Sequence, residues 1–346
     1  MAVFVTGATG MLGREIVPRM LARGDKVYAL SRGKNHLPEG VIPLRGDITL
    51  RQCGLETVPD DIDEVWHMAA LTSFRTKDDD LLDMINHLGT MEVLEIFKKA
   101  SRFVYVSTVY VCGDTTGPFA ETDLDVGQKF RNKYESSKFT AEQRVRDLRP
   151  DATIFRPGIL VGRHSDASIA SFSGFYRPLR AIAACHKFAE QHLGFPRREV
   201  VEKKLGLPRL HVPVRASGDP AARMPMTPID WAAGAMLSSA YLKGQTLHIV
   251  PAEMPLNQEV TEGVCDGLGI EGFHFSREPR KNPLDYLYNR LIRDYLPYIR
   301  SCPAFTTSVG HTCPPVDRAY IARVVEYWRN NDLEFSGSIA EAVQGS

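Results

Sequence analysis

Several absences narrow the possibilities for this 346-residue chain before any motif is read. No apolar run approaches the ~20 residues that a bilayer-spanning helix needs, so no membrane span is expected. Opposing charges cancel, 42 Lys/Arg against 42 Asp/Glu, which argues against the whole molecule binding a polyanion such as nucleic acid. The six cysteines (Cys53, Cys112, Cys185, Cys265, Cys302 and Cys313) lack the paired spacing of a metal site. Reduced thiols in a cytoplasmic protein, with no metal, are the simplest expectation. Neither an internal repeat nor a low-complexity segment stands out. An amino-terminal leader is not expected either, because Ala2-Val3-Phe4-Val5 already reads as a strand.

What the chain does have, in its first half, is alternation. Short apolar runs at 3–6, 26–30, 41–44, 64–68, 103–107 and 153–155 are separated by amphipathic stretches, notably 11–23, 81–99 and 134–148. Near-continuous apolar strands between helices imply a parallel sheet covered on both faces. With a glycine-rich first turn, the expected fold is α/β, a Rossmann-like doubly wound parallel sheet. The rhythm changes after Gly162. Residues 163–225 and 251–346 are expected to form a smaller, interleaved substrate-binding lobe, while a helix and strand within 226–250 rejoin the domain begun by residues 1–162. Further helices are expected at 174–193, 258–268, 283–295 and 317–330.

Thr6-Gly7-Ala8-Thr9-Gly10-Met11-Leu12-Gly13 joins the first strand to the first helix. Glycines there permit a tight turn and let backbone amides approach a pyrophosphate at the positive helix end. The second strand ends in Ser31-Arg32, where a carboxylate would bind the ribose 2′-hydroxyl of NAD. A hydroxyl and a guanidinium suit a 2′-phosphate instead, with Arg14 as a second charge, so NADPH is the expected cofactor. Tyr134 and Lys138 lie four residues apart and share a helix face. An ammonium beside a phenol favours the phenolate, so the Tyr134 pKa is expected to fall from its usual value near ~10.

These motifs together resemble the extended short-chain dehydrogenase/reductase family over residues 1–250. Thr6–Gly13 resembles its glycine motif, Gly46-Asp47-Ile48 its adenine contact, and His67-Met68-Ala69-Ala70 the loop beneath the cofactor. Asn86-His87-Leu88-Gly89-Thr90 is similar to its asparagine-bearing central helix, and Val106-Ser107-Thr108-Val109-Tyr110-Val111 to the strand bearing the active-site hydroxyl. Phe155-Arg156-Pro157-Gly158-Ile159 resembles the loop beside the nicotinamide. The Ser-Thr-x-Tyr-Val, Tyr-Glu-x-Ser-Lys and Arg-Pro-Gly-Ile-Leu-Val-Gly signatures are closest to a narrower branch, the fatty acyl-CoA reductases and thioester-releasing reductase domains.

The resemblance implies an oxidoreductase transferring hydride from NADPH to a carbonyl, in lipid or secondary metabolism. An acyl thioester, bound to CoA or a carrier protein, or the derived aldehyde is the implied substrate; sugar-nucleotide epimerisation or dehydration and ketone reduction are the alternatives. Tyr134 would be the general acid, and Lys138 would hold the nicotinamide ribose. Thr108 would polarise the carbonyl, with Ser107 as its competitor, and Asn86 would support a relay water or simply pack. His67 and His164 are read as structural, and Cys112 as no nucleophile. Residues 163–225 hold eleven Lys/Arg against five Asp/Glu. Arg177, Arg180, Lys187, Arg197, Arg198, Lys203, Lys204, Arg209 and Arg215 are therefore a candidate surface for phosphate or an acidic carrier protein. A monomer or a homodimer is expected.

Overall fold

The computed structural model of the chain describes residues 1–33, 37–195, 209–278 and 281–332. They divide into two compact units, the first formed by Met1–Leu160, Thr227–Ala252 and Pro303–Cys313, the second by Val161–Met226, Glu253–Cys302 and the chain from Pro314. Residues 303–313, assigned by sequence to the smaller lobe, thus pack with the first unit.

In the first unit the strands β1 (Ala2–Thr6), β2 (Lys26–Ser31), β3 (Ile42–Arg45), β4 (Glu64–His67), β5 (Arg102–Val106) and β6 (Thr153–Pro157) join the strand Thr246–Ile249 in one sheet. Its order is Thr246–Ile249, β6, β5, β4, β1, β2, β3, and every recorded pairing is parallel. Chain direction across the sheet reverses between β1 and β4, the switch point at which doubly wound sheets open a ligand crevice beyond their strand ends.

Alternation along each strand sends side chains to two separate cores. Val3, Val5, Val27, Ala29, Trp66, Val104 and Phe155 pack beneath helix α1 (Gly13–Ala22) and the helix Ile229–Ser239. Phe4, Tyr28, Val65, Phe103, Tyr105 and Ile154 fill the opposite face, under α3 (Gly89–Ile96) and α4 (Lys133–Leu148). Before α3, the short α2 (Asp79–Leu82) runs into a π-helical turn at Asp83–Leu88. The 81–99 stretch, expected as one helix, therefore carries a local widening. Such turns recur at functional sites, and this one holds Asn86.

Pro303–Cys313 lies against the edge strand Thr246–Ile249. The Thr306 carbonyl faces His248 Nδ1 at 2.8 Å, and Thr307 Oγ1 donates to the His248 carbonyl at 2.8 Å. Glu121 accepts from the His248 amide at 2.7 Å and from Ser308 Oγ at 2.6 Å. Phe119 N donates to the Ala304 carbonyl at 3.0 Å.

The second unit is built around the helices Tyr176–His192, Asn257–Leu268, Pro283–Leu291 and Arg318–Asn331. Buried Asp285 accepts from the backbone amides of Arg215 at 2.7 Å and Lys281 at 2.8 Å. One turn on, Asn289 accepts from the Ser217 amide and donates to the Arg215 carbonyl. No helix among the described residues is long and apolar enough to cross a membrane.

Candidate active site

The glycine turn is dictated by crowding. Gly7 sits at φ +75°, and a Cβ there would lie 2.7 Å from the Ala69 amide nitrogen. A Cβ on Gly13 would meet the Gly7 carbonyl oxygen at 2.2 Å, which no relaxation short of moving the turn accommodates. Gly10 donates its amide to the Gly7 carbonyl at 3.0 Å, closing the turn. Beside it opens a cavity of ≈ 300 Å³ lined by Thr6, Gly7, Thr9, Gly10, Ser31, Arg32, Asp47, Ile48, Ala69 and Ala70 among the expected cofactor residues. Leu30, Gly46, Met68, Leu71 and Ile85 complete the lining without having been selected from sequence. Apolar walls on both sides of a glycine turn fit the adenosine half of a dinucleotide.

Eight expected cofactor residues do not line this cavity: Met11, Leu12, Gly13, Arg14, Lys138, Pro157, Gly158 and Ile159. Leu12 is buried in the core below α1. The Arg14 side chain turns back to donate Nε to the Thr9 carbonyl at 3.1 Å. Arg32 is 67% exposed, with Nη1 3.9 Å from Asp47 Oδ2. Ser31 Oγ accepts from the Gly33 amide at 3.1 Å.

The Thr6 side chain points into the protein. Its Oγ1 accepts from the Ala69 amide at 3.1 Å and lies 2.7 Å from His67 Nδ1. On the other ring nitrogen, His67 Nε2 is 2.9 Å from Thr90 Oγ1, which donates to the Asn86 carbonyl at 2.7 Å. Because Thr90 spends its proton on Asn86, His67 carries a proton on Nε2, and the neutral ring lets Thr6 Oγ1 donate to Nδ1. Burial, with a smaller contribution from the Lys138 charge, pulls the His67 pKa down to about 3. His67 is therefore structural, tying the glycine turn to the helix of Asn86.

Asn86 is buried, accepts from the Leu71 amide at 2.8 Å, and spends both amide protons, on the Leu71 carbonyl at 3.0 Å and Ser137 Oγ at 3.1 Å. Its side chain fixes the loop after Ala70 to α4.

Tyr134, Ser137, Lys138, Ala141 and Glu142 form the buried face of α4, whose first turn is capped by the Asn132 side chain accepting from Glu135 N. Around the Tyr134 phenol stand the hydroxyls of Thr108 and Thr72, with the Phe74 ring 5.8 Å from its own. Thr72 gave no signal in the sequence. Thr108 Oγ1 also accepts from Tyr110 N at 3.2 Å, while Ser107 Oγ turns to Glu142 at 2.6 Å. Adjacent residues at the end of β5 thus face different partners, and Thr108 is the one beside Tyr134.

The expected lowering of the Tyr134 pKa does not occur. Burial raises it and outweighs the opposing hydroxyls of Thr108 and Thr72. Lys138 Nζ instead donates to the Val106 carbonyl at 2.7 Å and lies 4.2 Å from the centre of the Tyr105 ring. Burial draws its own pKa down to about 7, against the attraction of Glu142. Spacing put both groups on one face but could not report how dry that face is.

Much of the expected basic surface is committed elsewhere in the second unit. Arg180 pairs with Asp332 at 2.9 Å, Arg209 with Asp266 at 2.6 Å, and Arg215 with Asp285 at 3.4 Å. Arg197, Arg198, Lys203 and Lys204 lie outside the described residues. Cys112 is buried behind the site, its Sγ 3.6 Å from the Gly113 carbonyl, in no position that calls for a nucleophile. Among the described residues no cluster of His, Cys, Asp and Glu could hold a metal ion.

A parallel sheet with a glycine-turn crevice at its switch point defines a dinucleotide-binding α/β protein. Residues 3–188 match the model of the NAD dependent epimerase/dehydratase family, the extended short-chain dehydrogenases/reductases, and the chain belongs to that family. It is 32% identical over 154 residues to a 2-alkyl-3-oxoalkanoate reductase from Stenotrophomonas maltophilia, covering 42% of this chain and 46% of the relative. Fatty acyl-CoA reductase 8 from Arabidopsis thaliana is 29% identical over 163 residues, 34% of this chain and 33% of that protein. The chain thus matches about half or less of the length of these curated relatives. Among solved structures, the terminal R domain from the myxalamid PKS-NRPS biosynthetic pathway superposes with a TM-score of 0.73 at 21% identity, over 96% of this chain and 91% of that one. That likeness establishes the shared fold.

Proposed function

We propose that the chain is an NADPH-dependent reductase acting on a carbonyl, with an acyl thioester or its aldehyde as substrate. The observation that carries this reading is the grouping of Thr108, Tyr134 and Lys138 on facing ends of β5 and α4, on the same sheet edge as the glycine-turn cavity. When bound, the nicotinamide supplies the hydride. Tyr134 gives its proton to the oxygen as negative charge develops there, and Thr108 holds that oxygen by a hydrogen bond. A phenol kept protonated by burial is suited to the acid role. Lys138, on the same helix face, replaces the positive charge as the proton leaves and fixes the ribose. Ser31 and Arg32, at the far end of the cavity, favour a 2′-phosphate over a free hydroxyl.

For a thioester, hydride addition and protonation give a hemithioacetal, which expels the thiol to leave an aldehyde. The aldehyde is the product at this stage, and a second hydride from NADPH would take it to an alcohol. The fatty acyl-CoA reductase match and the R-domain fold support this substrate class, and an acidic carrier protein would be a partner for the exposed Arg177 and half-buried Lys187 of the second unit. Ketone reduction is the second reading, favoured by the 32% identity to the oxoalkanoate reductase. NADPH oxidation measured against acyl-CoA, acyl-carrier, aldehyde and ketone panels separates the two. Turnover only with ketones refutes the thioester assignment, and undiminished turnover by Tyr134→Phe refutes the mechanism.

A further inference from the structure

Glu142 is wholly buried, belongs to no step above, and gathers more charged partners than any catalytic group. It lies one helical turn beyond Lys138 on the same face of α4. Its Oε2 accepts from Ser107 Oγ at 2.6 Å, and Ser107 directly precedes Thr108. Arg156, equally buried, donates Nη2 to Oε1 at 2.7 Å and Nε to both oxygens at 3.1 Å. Arg156 is the penultimate residue of β6, directly before Pro157-Gly158-Ile159. A third donor, Arg146 Nη2, reaches Oε1 at 3.0 Å.

Arg156 is itself fully engaged, with the Asp123 carbonyl at 2.5 Å, the Ala120 carbonyl at 3.5 Å, His248 Nε2 at 3.2 Å and the Phe119 ring beneath it. One carboxylate therefore joins the ends of β5 and β6 to α4, and β5 and α4 carry the proposed catalytic groups. A buried ion pair satisfied this completely contributes position rather than net stability.

We propose that Glu142 is a positioning residue for the reductase reaction: it holds the Thr108 strand end against α4, and its charge favours the ammonium form of Lys138 one turn away on the same buried helix face. The inference rests on the roles proposed above for Thr108, Tyr134 and Lys138. Asp123 and Glu121 add negative charge beside Arg146 and His248 respectively. Arg156, Arg146 and Ser107 hold Glu142 ionised, with its pKa below the ordinary carboxylate value. His248 is neutral, its pKa drawn down to about 4 by burial and the Arg156 charge. Tyr105 stays protonated, its pKa raised by burial and by Glu142. His67 is neutral, and Glu142 supplies the attraction that opposes the dehydration of Lys138.

The test is Glu142→Gln beside Glu142→Asp, with Glu142→Gln/Arg156→Gln as the variant that leaves no unpaired buried guanidinium. The Lys138 ammonium is followed by NMR of 13C-labelled lysine, assigned by its absence in Lys138→Met. In both glutamine variants the Lys138 titration falls by about one unit or more, equivalent to a tenfold smaller ammonium fraction above it. The kcat of these variants falls about fivefold more at pH 8 than at pH 6, and KM for the carbonyl substrate changes little. Glu142→Asp retains the wild-type pH profile. A folded glutamine variant with an unshifted Lys138 titration overturns the proposal, as does an aspartate variant as impaired as the glutamine. Because the NMR readout needs no substrate, wild-type protein without carbonyl turnover would refute the reductase reading while Glu142's hold on Lys138 was judged separately.

Discussion

Removing the Lys138 ammonium should make the protein more stable while abolishing its activity. The side chain is 2% exposed, with one hydrogen bond at 2.7 Å to the Val106 carbonyl and the Tyr105 ring as its other polar support. Burial lowers its pKa from 10.5 to about 7. At 1.36 kcal/mol per unit, keeping the ammonium below pH 7 costs the folded state about 5 kcal/mol. Lys138→Met preserves the stem and deletes the charge, while depriving the Val106 carbonyl of a donor costs about 2 kcal/mol. The variant should therefore gain about 3 kcal/mol at pH 6, a rise in Tm of about 4 °C for a protein of this size.

The pH dependence is the sharper part of this prediction. Between the folded value near 7 and the unfolded value of 10.5, the unfolded chain holds a proton that the folded chain has released. Wild-type stability consequently rises with pH across that window, and the methionine variant lacks the rise. By pH 9 the wild-type penalty has fallen to about 2 kcal/mol, so the two proteins should melt together. Thermal melts of both from pH 6 to pH 9, without cofactor, decide the matter. A variant less stable at pH 6, or a difference that does not close with pH, refutes the argument.

Other expectations follow from the same geometry. Gly7→Ala forces a side chain into a positive-φ turn against Ala69 and should cost about 2 kcal/mol of stability, together with most of the NADPH affinity, read by melting and by nucleotide fluorescence titration. Arg32→Ala should raise KM for NADPH about tenfold and leave NADH kinetics unchanged; equal effects on both would remove the 2′-phosphate assignment. His67 has a pKa of about 3 when folded against 6.5 unfolded, so it stabilises above pH 6.5 and that contribution is lost as pH falls toward 3. Denaturant titrations between pH 6 and pH 4 should show His67→Gln losing about 1.4 kcal/mol less per pH unit than wild type, and parallel slopes would contradict the buried neutral ring.

The sheet was legible because its strands are apolar on both sides. Each of 3–6, 26–30, 64–68, 103–107 and 153–155 lies within two residues of an observed strand at both ends, since only a strand covered on both faces reads as an unbroken apolar run. Periodicity was blind to the π-helical turn around Asn86, because one extra residue per turn leaves the apolar pattern nearly unchanged. Charge was the harder matter. Tyr134 and Lys138 were placed correctly on one helix face, but a pKa depends on burial, which spacing does not encode. Glu142 was passed over for the same reason. Four residues after a lysine, a glutamate reads as half of a solvated pair, and its burial becomes visible only when Arg156 arrives from a neighbouring strand. The basic run in residues 163–225 misled in the other direction, as Arg180, Arg209 and Arg215 meet carboxylates contributed from residues 266–332.

The return of Pro303–Cys313 to the edge strand bears on how the chain is made. A terminal strand such as Thr246–Ile249 presents unpaired backbone groups to any passing chain. Here Glu121, Thr306 and Thr307 take up the groups of His248, and the last two come from far downstream. During synthesis the nucleotide-binding half stays raw at that border until residue 313 has left the ribosome, well after its other six strands have emerged. Nascent chains stalled between residues 252 and 300 should therefore be the sticky ones, and no single cut separates the two units into independently finished pieces.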